Sequence, residues 1–112
     1  MSTSALKERL RADLKVAMRE RKPADVAVIR TLIAAIDNAE AVPIEGVAER
    51  LRLREDVGEV ARRELDPAAL EAVLAKEIET RLAAAHDYER HGRGDDAARL
   101  GQQAELIARY RS

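Results

Sequence analysis

The chain has 112 residues, of which 37% are charged and 46% apolar, enough for one domain with a shared core and too charged for a membrane protein. It has no cysteine and only two aromatic residues, Tyr88 and Tyr110, which excludes disulfides, thiolate nucleophiles and sulfur-based zinc sites and requires an aliphatic core. The net charge of −1 hides an asymmetry: residues 1–22 carry seven Lys or Arg against three acids (+4), and residues 66–91 carry three against six (−3), so any nucleic-acid binding is confined to one patch.

The first helix is predicted over about 4–21, with Ser4 as N-cap. Leu6, Leu10, Leu14, Ala17 and Met18 form an apolar stripe, and Arg9 is placed to pair with Asp13 one turn on. Lys7, Arg11, Lys15, Arg19 and Lys22 form a basic stripe beside it. Pro23 stops this helix. Asp25 is the expected cap of a second helix over about 25–41, which the pattern makes the centre of the molecule. At ~100° per residue, Val28, Ile29, Leu32, Ile33, Ala35, Ile36 and Ala39 cover about half its circumference, and Ala27, Thr31 and Ala34 keep most of the rest small. Such a helix is expected to have neighbours on most sides. Arg30 would then be buried, and an internal ion pair with Asp37 or Glu77 is the expected solution, since an unpaired buried guanidinium is costly.

Pro43 closes the second helix, and 42–65 reads as a long connection with at most one short helix over 45–54. Asp66-Pro67 is a strong helix start, with Asp as cap, Pro at the first helical position and Leu65 stapled to Leu70. The third helix runs over about 66–91, with Leu70, Val73, Leu74, Ile78, Leu82, Ala85 and Tyr88 inward, and Gly92 and Gly94 end it. The fourth, over about 95–110, turns Ala97, Leu100, Ala104, Ile107 and Tyr110 inward. Gly101 weakens it by ~1 kcal/mol relative to Ala and is read as marking a close crossing. The prediction is an all-α, small four-helix bundle, a single domain over 1–112. No apolar run approaches the ~18 residues of a membrane span, and no signal-peptide pattern opens the chain, so the expected location is cytoplasmic.

Little in this sequence points to chemistry. His86 and His91 stand five apart on different faces of helix three, which is not metal-site spacing; Asp87 and His91 are placed for a local pair. The acids Glu77, Glu79, Asp87 and Glu89 read as a solvated face. The serines are terminal and no Gly-rich phosphate loop precedes a helix. The reading assigns no catalytic residue, metal or cofactor. The basic stripe of helix one remains, and it has three readings: a solvated face, a phosphate-tracking face for structured RNA, or a membrane-surface stripe. With so few aromatics, base-stacking platforms for single strands are disfavoured.

A set of collinear segments resembles the GatB/YqeY family. They are Asp13-Leu-Lys15 with Ala17-Met18-Arg19; Val28-Ile29-Arg30-x-Leu32 leading to Ala34-Ala35-Ile36-x-Asn38-Ala39-Glu40; Lys76-Glu77-Ile78 and Arg81; Tyr88-Glu89-x-x-Gly92-Arg93; and Glu105-Leu106-Ile107 before Tyr110. The resemblance covers about residues 5–40 and 66–110. It implies an all-α fold and kinship with the C-terminal region of the B subunit of glutamine-dependent tRNA amidotransferases, whose helical modules help hold tRNA. It also brings the family label of carbon–nitrogen ligase, an activity of the catalytic modules for which this chain offers no residues. The 42–65 connection is longer than the family's usual turn, and the chain stops at Tyr110-Arg-Ser where the family commonly continues with Leu-Pro into a second subdomain. The expected function is a noncatalytic helical adaptor with tRNA or a translation-related protein as partner. The alternative is a protein-interaction module or homodimer built on helix four or the long connection.

Overall fold

The structure is a computed structural model, and it describes residues 2–41 and 64–111. Four α-helices make up the described chain: α1 (Thr3–Arg19), α2 (Pro23–Glu40), α3 (Pro67–Arg90) and α4 (Gly94–Ala108). The fold is the all-α bundle expected from sequence, with boundaries shifted by one or two residues. Pro43 and the expected short helix at 45–54 lie outside the described residues.

Local chemistry sets the helix ends. Ser2, not Ser4, caps α1, accepting from the Ala5 amide at 3.0 Å. The helix starts early because Thr3 is fully buried and donates its hydroxyl to the Leu65 carbonyl at 3.2 Å, which draws the first turn into the core. The start of α2 carries no side-chain cap; Pro23 takes the first helical position and Asp25 sits in the first turn, where its charge favours the helix dipole without capping it. Asp66 caps α3 as expected, accepting from the Ala69 amide at 2.7 Å, with Leu65 and Leu70 both in the core.

Two antiparallel hairpins, α1–α2 and α3–α4, pack together, and α2 touches all three other helices. Leu6, Leu10, Leu32, Ile36 and Ile107 are fully enclosed. Each such side chain contributes roughly 1.5–3 kcal/mol by leaving water. Among the described residues, no buried side-chain nitrogen or oxygen lacks a hydrogen-bond partner.

The expectations for α2 and for Leu82 fail for one reason: the main core takes in one end of α3 and one side of α2. Helix α2 is not surrounded, since Ala27, Arg30, Thr31, Ala34 and Asn38 are exposed and Ile33 is only partly buried. Leu82 is 50% exposed, because no described side chain between Ile78 and Leu106 joins the main core; there α3 has α4 as its partner. Met18, expected inward, is 52% exposed. Gly101 marks no close crossing, since nothing lies within 4 Å of where its side chain would begin.

Candidate nucleic-acid interface

The cation stripe divides when folded. Lys7 points between α1 and α2, where its ammonium lies 2.6 Å from Glu40 and 3.0 Å from Asp37. The hydrogen bond to Glu40, then that to Asp37, raises the Lys7 pKa above its ordinary value. Lys7 is therefore a clamp between helices and leaves the candidate nucleic-acid set. Arg11, Lys15 and Arg19 are exposed on α1, successive turns about 6 Å apart along the axis. Lys22, also exposed, has a 3.4 Å surface contact with Glu20, a kind of pair that contributes little and yields easily to another anion.

Arg30 is the main correction. It is exposed, and the internal pair with Asp37 or Glu77 does not form: Asp37 meets Lys7, and Glu77 meets Arg81 at 3.0 Å. Arg30 instead lines one groove with Met18, Arg21 and Lys22. Met18, which lines that groove, stands one turn after Lys15 and two after Arg11, so helical spacing puts these two on its side of α1, with Arg19 about a quarter-turn further round. Among the described residues, Arg11, Lys15, Arg19, Arg21 and Arg30 form no ion pair. Of the acids of α2, Asp37 and Glu40 are engaged by Lys7. An array of unpaired cations on a rigid helical hairpin can neutralise successive phosphates.

Sequence reasoning missed Arg21 and misplaced Arg30. Arg21 falls off the i, i+4 row and follows the last helical turn. The small residues around Arg30 (Ala27, Thr31 and Ala34) form a pattern that suits a packing surface and so predicts Arg30 inward. The Arg-x-x-x-Ala spacing fits an exposed face equally well.

A second feature sits where α1 meets the residues that follow α4. Tyr110 is buried and donates its phenolic hydrogen to Asp13 Oδ2 at 2.5 Å. The Arg9 guanidinium lies 4.6 Å from the centre of that ring and donates to the Arg109 carbonyl at 3.3 Å. The expected Arg9–Asp13 pair is thus replaced by a joint grip on Tyr110. Burial, then the bond to Asp13, pushes the Tyr110 pKa upward, so the phenol keeps its proton. These residues border a cleft of about 300 Å³ that also meets Glu20, Lys22 and Asp25. Its charges are of both signs, and the phenol and carboxylate are already committed to each other.

At the α3–α4 turn, the His91 ring nitrogen contacts the Asp87 carbonyl oxygen at 2.7 Å, while the Asp87 carboxylate pairs with Arg90. The expected Asp87–His91 side-chain pair is absent: the Asp87 carboxylate is taken by Arg90, one residue nearer along the helix. Among the described residues, no group of three His, Asp or Glu side chains is placed to hold a metal ion, and no helix is long and apolar enough to cross a membrane.

No curated protein matches the chain significantly. A family model described as Yqey-like protein matches residues 7–111. That span runs from the Lys7 clamp to the residue after Tyr110 and takes in α2, α3, α4 and all but the first turn of α1, and on it the chain belongs to the YqeY family.

Proposed function

We propose that this protein is a noncatalytic helical adaptor that holds structured RNA through the basic side of its α1–α2 hairpin. The observation that carries this reading is the set of exposed cations, Arg11, Lys15, Arg19 and Arg30, none of them matched by a described acid. Holding cations unpaired on one face repels the face from itself, and an anionic partner relieves this. tRNA is the RNA class that the sequence resemblance to GatB/YqeY proteins implies, and an accessory place beside a glutamine-dependent tRNA amidotransferase, in the cytoplasm, goes with it. Two aromatic residues in the whole chain, one of them buried, favour shape and phosphate contacts over serial base stacking.

Retention of tRNA at low and moderate salt tests the reading. The Arg11→Glu/Lys15→Glu protein is expected to bind much more weakly, while Lys76→Glu/Arg99→Glu, with the same change in net charge on the other hairpin, keeps its affinity. Equal retention by both variants and the wild type removes the RNA role. The homodimer reading through helix four has less to draw on, because α4 keeps Ile107 buried and Leu100 and Leu106 partly buried within its own chain.

A further inference from the structure

Helices α1 and α3 end in the same backbone motif with different residues at its left-handed position. At the end of α3, the Arg93 amide returns to the Tyr88 carbonyl at 2.8 Å and the Gly92 amide to Glu89 at 3.1 Å, with Gly92 at φ 73°. At the end of α1, the Lys22 amide returns to Ala17 at 3.0 Å and the Arg21 amide to Met18 at 3.2 Å, with Arg21 at φ 56°. This is the six-to-one, five-to-two closure that glycine suits best. Arg21 is the one described non-glycine residue at positive φ, a conformation that costs an arginine and not a glycine. Strain retained at one position points to a use for the side chain that causes it.

That side chain lines an open groove of about 620 Å³ between the end of α1 and the start of α2. Met18, Val26 and Ala27 give it an uncharged floor, and its charged lining, Arg21, Lys22 and Arg30, is entirely cationic. An occupant must offer a neutral, flat or apolar group and carry negative charge beside it. An unpaired nucleotide does both: its base fits the floor, where a thioether makes favourable contacts with a ring and guanidinium planes can stack on it, and its flanking phosphates meet the cations. Arg11 and Lys15, exposed two turns and one turn before Met18 on the same side of α1, are placed for the charge of the adjoining backbone.

We propose that this groove takes one unpaired nucleotide of a structured RNA, a bulged or terminal base, with Arg21 as its strained clamp. This rests on the RNA reading above and narrows it to RNAs with an unstacked base next to a helix. The test measures the affinity of a fully paired RNA hairpin and of the same hairpin with one bulged nucleotide, by fluorescence anisotropy. The wild type is expected to bind the bulged RNA about tenfold more tightly. Ala27→Leu fills the groove from an exposed helical position, and should abolish that preference while leaving the paired hairpin within about twofold. Arg21→Gly should also lose the preference while melting at a higher temperature than the wild type. Equal, salt-sensitive affinity of the wild type for the two RNAs overturns the groove proposal and leaves the RNA reading standing. Binding of neither RNA overturns both. An unchanged bulge preference in Ala27→Leu overturns the groove as its seat. An acidic, leucine-containing peptide that displaces both RNAs equally and is lost in Ala27→Leu overturns it in favour of a protein partner.

Discussion

Lys7 and Glu40 meet at 2.6 Å across the α1–α2 interface, with Glu40 buried to 8% exposure. The contact decides which cations of α1 stay available, because it turns the first of the stripe inward and quenches the one acid that would otherwise sit inside the hairpin. Lys7→Met removes the ammonium and keeps the stem's bulk, leaving Glu40 without its charge partner. The loss of a hydrogen-bonded charge is worth about 1.5–3 kcal/mol, and denaturant melts should show a destabilisation of that size. If Lys7→Met matches the wild type, the clamp contributes nothing.

Tyr110 and Lys7 give stability the same pH dependence. Each has a pKa raised by the fold, so the native state holds protons that the unfolded chain releases. Their contribution is complete below the ordinary values, 10.0 for tyrosine and 10.5 for lysine, and is lost as pH rises toward the folded values. In a Tyr88→Phe protein, where Tyr110 is the sole tyrosine, phenolate absorbance should appear only with alkaline unfolding. Absorbance rising near pH 10 in a folded protein would break the Tyr110–Asp13 assignment.

Three substitutions at helix ends and interiors should differ in sign. Gly101→Ala, with open space around it, is expected to stabilise by about 0.5–1 kcal/mol. Arg21→Gly relieves a left-handed arginine and should stabilise by about 1 kcal/mol. Gly92→Ala, at φ 73°, should destabilise by about 1 kcal/mol. Thermal melts of the three proteins separate these outcomes.

Core and surface are distinguished on neighbouring helices. Leu32→Ala removes a fully enclosed side chain of α2 and is expected to cost about 2–5 kcal/mol. Met18→Ala, half-exposed on α1, should stay within about 0.5 kcal/mol of the wild type. A large loss at Met18 would mean that the groove floor is part of the core.

The four described helices, the Asp66-Pro67 start and the Gly92 stop were legible because each rests on chemistry within a few residues. Position on the finished surface was not. Arg30 sits among small residues that a sequence cannot assign to packing or to solvent, and Leu82 has the periodicity of a core residue on a turn of α3 that, among the described helices, α4 alone accompanies. Tyr110 and Asp13 stand 97 residues apart, so no local pattern joins them. The candidate site was half visible: Arg11, Lys15, Arg19 and Lys22 follow from helical spacing, whereas Lys7 is removed and Arg21 and Arg30 are added by how two helices meet.

The salt dependence of RNA affinity counts the phosphates neutralised by the α1–α2 face. A contact involving about four cations predicts a log–log slope near −3 to −4 for the wild type, falling in magnitude by roughly 2 in Arg11→Glu/Lys15→Glu. A slope near zero, or one that the double substitution leaves unchanged, would contradict the assignment of this face to RNA.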